Sequence, residues 1–439
     1  MTPPSHDRPI ETPEQAGQYL ETLINHEQRR DLSTARMDLG PIRALLERLG
    51  EPQAGLSILH VAGSKGKGST CLFAEAALGA LGKRAGVFTS PHLHRWTERF
   101  RVASEEVDGR VLAQAVDDLR PHVDWLREND PDRTPTFFDA TTAAALLIFA
   151  RAGLDHVVLE VGLGGRLDST NAVEPRVCAI TTIELEHTDK LGDTIAKIAW
   201  EKAGIIKRAV PCFVGRLVPD AEAVIRDEAR KVGAPLHALG KDFEPIAGDA
   251  LAVLGRHQQD NAALALACVE ALEGFDSVEA RQKALSGICA AVLPGRIEVL
   301  DDAPRTIVDA AHTQASAREL AAVLAAQPGA QRRLLLSVSE GKDLGSIFDA
   351  LLPGFDEVYV TRAEPYRSVE TEALAALVRE HRPETVVVAI DDPGLAAREA
   401  LAASKANDLL VAAGSVYLAA VAREHWSAPS GTPATSTKP

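Results

Sequence analysis

Long apolar stretches are missing from this chain of 439 residues. Its longest near-apolar run, Ala143 to Ala150, falls far short of the roughly 20 residues a bilayer-spanning helix needs. The opening MTPPSHDRPIETPEQ is polar and carries no apolar signal core, which predicts a cytoplasmic protein. Cysteine is scarce: Cys71, Cys178, Cys212, Cys268 and Cys289 are odd in number, none forms a CxxC, and most lie in apolar runs. They read as buried free thiols in a reducing compartment. A basic excess is absent too. The 62 acids outnumber the 47 bases, for a formal net charge of −15. Nonspecific nucleic-acid binding runs on phosphate neutralisation, so neither nucleic acid nor membrane is expected as a partner. A local basic site for a small anion remains open. What is present is ordinary: 46% hydrophobic and 25% charged residues, in a length suited to two or three domains.

Residues 1–16 read as a loose leader, followed by helical patterns from about Ala16 and over Leu39 to Leu49. The runs LSILHVAG, AGVFTS, DHVVLEVG, RVCAITTIE and AVPCFVG predict short interior strands. STCLFAEAALGALG, VLAQAVDDLRPHVDWLRE, DATTAAALLIFARAG and DTIAKIAWEKAGII predict the helices between them. Alternation of this kind predicts an α/β fold with a mostly parallel, P-loop-type sheet. It restarts after about residue 298 with five candidate strands, TIVDAA, RLLLSVS, EVYVTRA, TVVVAID and DLLVAAG, and predicts a smaller Rossmann-like C-terminal domain. The expected division is a central domain over 17–298, a C-terminal domain over 299–426 and a disordered tail over 427–439. The boundary is set at LPGRIEVL, where Pro-Gly breaks the pattern, and the tail has no apolar content to bury.

The densest chemistry is HVAGSKGKGST, His60 to Thr70. Strand, glycine-rich turn and helix make a phosphate cradle, with backbone N–H groups aimed at an anion. Lys67 would place an ammonium on terminal phosphates, and Ser69 or Thr70 would offer a hydroxyl to Mg2+. The general G-x-x-x-x-G-K-[ST] pattern is not met: Val61 stands at its first glycine and Gly68 at its hydroxyl. Glu160 ends an apolar strand ahead of a second glycine-rich turn, where a carboxylate faces the ligand crevice of an open α/β sheet. Arg166, Asp168 and Asn171 in that turn read equally well as turn residues or as support for the site. Taken alone, His187 reads as a loop residue and Lys202 as a surface charge.

The motifs HVAGSKGKGST, TSPHL, ERFRV, LEVGLGGRLDSTN, EHTDKLG, EKAGIIK, LPGRIE and GSVYL occur in one order along the chain. In this the chain closely resembles the folylpolyglutamate synthase/dihydrofolate synthase family of the Mur ligase superfamily, from about Tyr19 to Tyr417. The superfamily's own loop variant, G-[ST]-x-G-K-G-S, accounts for the failed general pattern. The resemblance implies an ATP-dependent ligase adding L-glutamate to dihydropteroate, to the glutamyl tail of a reduced folate, or to both, through an acyl phosphate. It implies two Mg2+ sites and a monomer in folate biosynthesis and one-carbon metabolism. ATP would be held by Gly63, Ser64, Lys65, Gly66, Lys67, Gly68, Ser69, Asn261, Arg296 and Asp309. Ser69 and Glu160 would serve the first metal, and His187 the second. Lys202 matches a lysine that becomes carbamylated, which turns a cation into an anionic oxygen donor. Asp309 and His312 match a D-x-A-H-N-P motif, and Ser415 and Tyr417 a segment near the glutamate. Ser90, Pro91, His92 and Leu93, with Phe137 to Asp139, match pterin-side regions.

Departures from the family pattern are local. DAAHTQ puts Thr313 and Gln314 where Asn-Pro is usual, Glu186 replaces an aspartate, and Asp139 stands where glutamate is common. A peptidoglycan-precursor Mur ligase would need a further domain ahead of the loop, and only 59 residues precede His60. The alternatives are a Mur-type amide ligase with another carboxylate acceptor and a nonenzymatic ATP-binding module. The latter would be expected to lack Glu160, His187, Lys202 or Arg296.

Overall fold

The computed structural model describes residues 8–25, 38–247, 250–275, 277–364 and 368–427. The start of the expected leader and the expected tail from residue 428 lie outside them. The chain forms two compact units. The first runs to Ala252 and resumes over Arg256–Ala291; the second takes Val253–Gly255 and continues from Val292. The LPGRIE turn therefore belongs to the second unit.

The first unit is built on an eight-stranded sheet: β1 (Ile58–Ala62), β2 (Ala85–Phe88), β3 (Phe100–Val102), β4 (Glu105–Glu106), β5 (His156–Glu160), β6 (Val177–Ile180), β7 (Cys212–Val214) and β8 (Leu236–Ala238). Their order is β4-β3-β2-β5-β1-β6-β7-β8. From β2 to β8 every pairing is parallel; β3 and β4 add an antiparallel edge. β1 is central and wholly buried, with β5 and β6 beside it. The carboxyl ends of these three strands open toward the same edge, which is where open α/β sheets collect ligands. One core packs helices Pro13–Glu21, Gly40–Arg48, Gly109–Asn129 and Phe137–Ala152 around Ile58, Phe88, Phe100 and Leu159. A second packs helices Ile195–Lys202 and Pro219–Val232 on Cys178, Ile180, Cys212 and Val214.

The second unit carries β9 (Glu298–Asp302), β10 (Arg305–Val308), β11 (Arg332–Leu336), β12 (Glu357–Val360), β13 (Val386–Ala389) and β14 (Leu409–Ala413), in the order β13-β12-β11-β14-β10-β9. All pairings are parallel except β9 with β10. The mixed, mainly parallel α/β architecture expected from the alternation is present in both units.

Two details differ from the expectation. The first helix starts at Pro13, not Ala16. Thr12 caps it in a capping box with Gln15, Pro13 fills the first turn, and Ile10 is already buried. The leader is thus structured at its C-terminal end. All five thiols are free; four are buried and Cys289 is half-buried. Among the described residues no helix is long and apolar enough to cross a membrane.

Candidate active site

The loop after β1 is stitched to the segment after β6. Ser64 N donates to Thr182 O (2.7 Å), Lys65 N to Thr182 Oγ1 (3.0 Å) and Glu184 N to Ser64 Oγ (3.0 Å). Gly63 and Gly66 both have positive φ, 147° and 82°. A Cβ on Gly63 would lie 1.8 Å from Thr181 Oγ1, and one on Gly66 2.3 Å from Asn261 Oδ1. Only glycine allows this conformation and this close approach together. Asn261, from the helix Arg256–Glu273, thus packs directly on the loop, steadied by Gln258 at 3.0 Å. The helix Lys67–Ala80 begins at once after Gly66, so its unpaired N-terminal N–H groups and positive dipole end face the cradle. Lys67 arches back, its Nζ 2.9 Å from Gly63 O. Ser69 is buried in the first turn, and Gly68 immediately precedes it.

Glu160 is the last residue of β5 and is buried. A Cβ on Gly68 would lie 3.5 Å from its Oε2, so the carboxylate sits against the first turn of the loop helix. Ser90 N donates to the same oxygen at 3.0 Å. Ser90, in the segment the resemblance puts on the pterin side, also anchors this carboxylate through its amide. The sequence held no local signal for that contact, since the two residues are 70 positions apart. A buried carboxylate against the helix turn that carries Ser69 offers hard oxygen donors suited to Mg2+, which takes one or two protein carboxylates and completes its shell with substrate phosphates and water. Among the described residues no three His, Cys, Asp or Glu side chains converge on one point. Donors of this kind suit a metal that shares its shell with nucleotide phosphates and water.

Lys202 overturns the surface reading its helix suggested: only 2% of it is exposed. Its Nζ donates to Gly63 O (2.8 Å) and to Glu186 Oε1 (2.9 Å), on the floor of the cradle. Burial first, then the nearby Lys67, pushes its ammonium down to about 8 against the pull of Glu186. Burial works against ionisation of Glu186, but Lys202 and Lys67 outweigh it and hold that carboxyl below its ordinary value. His187 follows in a left-handed conformation (φ 46°), with burial lowering its pKa against the opposing charge of Glu186. A histidine, a carboxylate and a buried lysine meet here, and the lysine in its ammonium form cannot ligate a cation.

On the expected pterin side, His92 stacks near Trp96 and accepts from Arg99 Nε at Nδ1 (2.9 Å), which leaves the ring's proton on Nε2. Burial, then Arg99 and His94, push its pKa down to about 3, so it is neutral. Leu93 N is held by Glu98 (2.6 Å) and Pro91 follows a cis bond. Phe137 is buried against Trp96, and the Phe138 ring lies over Gly162. Asp139 takes a structural place. One oxygen accepts from Thr136 N (2.8 Å) and Oγ1 (2.7 Å) in a capping box, the other from Ser169 Oγ (2.7 Å). Asp168, Arg166 and Asn171 shape the glycine turn. Asp168 accepts from Leu163 N (2.8 Å) and Thr170 N (3.0 Å), Asn171 Nδ2 donates to Arg166 O (3.0 Å) and Gly204 O (3.1 Å), and Arg166 stacks on Trp200.

In the second unit Asp309, past the end of β10, accepts from Ile297 N and Ala311 N, both at 2.8 Å. His312 Nδ1 donates to Ala310 O (2.8 Å). Thr313 is the N-cap of the helix Gln314–Leu324, in a capping box with Ser316. Asparagine and threonine are both good N-caps and proline is at home at the first helical position, so the departure keeps the local shape. Ser415 is buried and caps the helix Val416–Trp426, while Tyr417 is exposed. Arg296 sits in the turn before β9.

A glycine loop on the central strand of one α/β unit, in a chain that carries a second, mainly parallel α/β unit, is the arrangement of a Mur-type ligase. The Mur ligase middle domain matches residues 61–245, and the Mur ligase glutamate ligase domain matches 295–416. The dihydrofolate synthase/folylpolyglutamate synthase of Escherichia coli is 33% identical over 92% of this chain and 92% of its own length. The probable bifunctional folylpolyglutamate synthase/dihydropteroate synthase of Halobacterium salinarum is 34% identical over 87% of this chain, which spans 49% of that longer protein. Among solved structures, the Mycobacterium tuberculosis folylpolyglutamate synthase complexed with ADP and AMPPCP has a TM-score of 0.83 at 31% identity, covering 95% of this chain and 98% of the other. E. coli FolC in complex with DHPP and ADP scores 0.81 at 32%, covering 96% and 98%. A bifunctional folylpolyglutamate synthase/dihydrofolate synthase of Yersinia pestis, complexed with AMPPNP and Mn, scores 0.79 at 32%, covering 96% and 98%. The chain belongs to the folylpolyglutamate synthase/dihydrofolate synthase family.

Proposed function

We propose that this protein is an ATP-dependent ligase that joins L-glutamate to dihydropteroate and to the glutamyl tail of reduced folates. The observation that carries the reading is the convergence of Lys67 and the buried Lys202 on the Gly63 carbonyl under a glycine cradle, with Glu160 against the same helix turn, in a chain that matches the family over almost its whole length.

The acceptor carboxylate is a poor electrophile until activated. One of its oxygens attacks the γ-phosphorus, the bond from that phosphorus to the β,γ-bridging oxygen breaks, and ADP leaves. The glutamate amine then attacks the acyl carbon, loses a proton, and phosphate departs with the bonding pair. The loop N–H groups and Lys67 offset charge on the transferring phosphoryl group. Asn261, Arg296 and Asp309 contact the nucleotide, and His312, Ser415 and Tyr417 serve the glutamate side. Ser69 and Glu160 hold one Mg2+, which when bound supplies charge neutralisation at the phosphates. His187 holds a second, with a carbamylated Lys202.

For Lys202 the chemistry is direct. The neutral amine attacks CO2, a C–N bond forms and a proton leaves, giving an anionic oxygen donor. Burial, and a pKa of about 8, keep a usable neutral fraction near physiological pH. Lys202→Ala should lose activity and regain part of it with added short carboxylates; full activity in that variant without them ends the idea. The protein acts as a cytoplasmic monomer in folate metabolism. Glutamate-dependent phosphate release from ATP, present only with a pterin carboxylate acceptor, tests the overall reading. Release that needs neither glutamate nor acceptor would instead mark a plain ATPase.

A further inference from the structure

The turn that carries Arg296 is held in an unusual conformation. Gly295 has φ 63° and Ile297 φ 47°, so Arg296 lies between two left-handed residues. For a β-branched residue such as Ile297 this is a true outlier, and such strain persists only where surrounding contacts over-determine it. Those contacts are present on both flanks. Gly295 N donates to Glu298 Oε2 (2.8 Å), and Ile297 N donates to Asp309 Oδ2 (2.8 Å). Ala310 N closes the turn on Gly295 O at 3.0 Å. Glu298 is itself 9% exposed, and a buried carboxylate needs a partner. That partner is Arg423, from the helix Val416–Trp426, whose Nε reaches Oε1 at 3.0 Å and Oε2 at 2.8 Å. Side chain, carboxylate and turn amide form one line: Arg423 to Glu298 to Gly295 N.

We propose that Arg423 and Glu298 are positioning residues for nucleotide binding, acting by locking the turn that presents Arg296. This rests on the reading of Arg296 as a nucleotide contact. Asp309 pins the far side of the same turn. Arg423 touches neither substrate nor nucleotide in this account; its whole effect passes through Glu298. An ordinary helix-to-strand ion pair would affect stability alone, whereas a positioning pair affects nucleotide affinity more than glutamate affinity.

ADP affinity by titration calorimetry, with the Michaelis constants for ATP and glutamate, tests this on the full chain. Arg423→Met keeps most of the packing and should weaken ADP and raise the KM for ATP about tenfold, with the KM for glutamate changed by less than about twofold. Glu298→Gln keeps an acceptor for Gly295 N and should retain more of the affinity than Glu298→Ala. Arg296→Ala is the control for the underlying reading. If Arg296→Ala weakens ADP while folded Arg423→Met does not, the positioning role is overturned and the function stands. If Arg296→Ala leaves ADP affinity intact, both the contact and its positioning are overturned. If Arg423→Met only lowers the melting temperature, the pair is structural and the proposal fails. Should Arg423→Met not fold, the Glu298→Gln and Glu298→Ala comparison decides: equal affinities contradict the proposal.

Discussion

At the scale of the residue, burial decides what the titratable groups do. His60, wholly buried in β1 with Nε2 on Thr170 Oγ1, is pushed down to about 3 by burial and by Lys207. Its folded pKa is depressed, so the folded chain binds fewer protons than the unfolded chain between pH 6.5 and about 3. Its contribution to stability is full above 6.5 and lost as pH falls toward 3. Its ring nitrogens should show no titration by NMR from pH 7 to 4.5; a midpoint near 6.5 would contradict the burial. Glu160 is the carboxylate on which the proposed metal site can be tested. Glu160→Gln keeps an acceptor for Ser90 N but removes the charge, and kcat should fall by about 10²-fold or more while the fold is retained. A kcat within about threefold of wild type would remove Glu160 from the phosphate site. Asp139 shows the opposite lesson: Thr136 and Ser169 occupy its oxygens, and Asp139→Ala should cost about 1–3 kcal/mol of stability, read by chemical denaturation.

At the scale of the element, the loop and its helix act as one part. Gly66 and Gly82 make a controlled comparison, because both have positive φ near 80° but only Gly66 has a neighbour in the way of a Cβ. Alanine at either site costs about 1–2 kcal/mol from the left-handed backbone. Gly66→Ala must also displace Asn261 and distort the cradle. Gly66→Ala should therefore lose more stability than Gly82→Ala, and ADP binding should be lost only in Gly66→Ala; equal ADP affinities would mean the loop is not the cradle. The strands of both sheets were readable as short apolar runs because strands buried on both faces need no alternation. Four strands were not. β3, β4 and β8 are short and partly exposed, and β9 ends in exposed acidic residues. β9 also follows directly on the Pro-Gly break, which lies just inside the second unit, next to its division from the first after Ala291.

At the scale of the whole molecule, the ordered motifs carried the functional reading further than composition or periodicity alone. The long-range contacts remained invisible. Ser90 meets Glu160 across 70 positions, Lys202 meets Gly63 across 139, and Arg423 meets Glu298 across 125. No local pattern separates a buried Lys202 from the surface lysines of an amphipathic helix; tertiary structure alone makes it part of the cradle floor. The capping box between Thr136 and Asp139 likewise emerges only in the structure.

The central claim is that this chain transfers L-glutamate to pterin-bearing carboxylates. Its most direct test is a paired incubation of the purified protein with Mg-ATP and L-glutamate, one sample with dihydropteroate and one with tetrahydrofolate, with products read by mass. The account predicts addition of one glutamate in both samples, with one phosphate released per glutamate joined. Addition in neither sample, by protein that binds ADP, would contradict it and point to another carboxylate acceptor on the same scaffold.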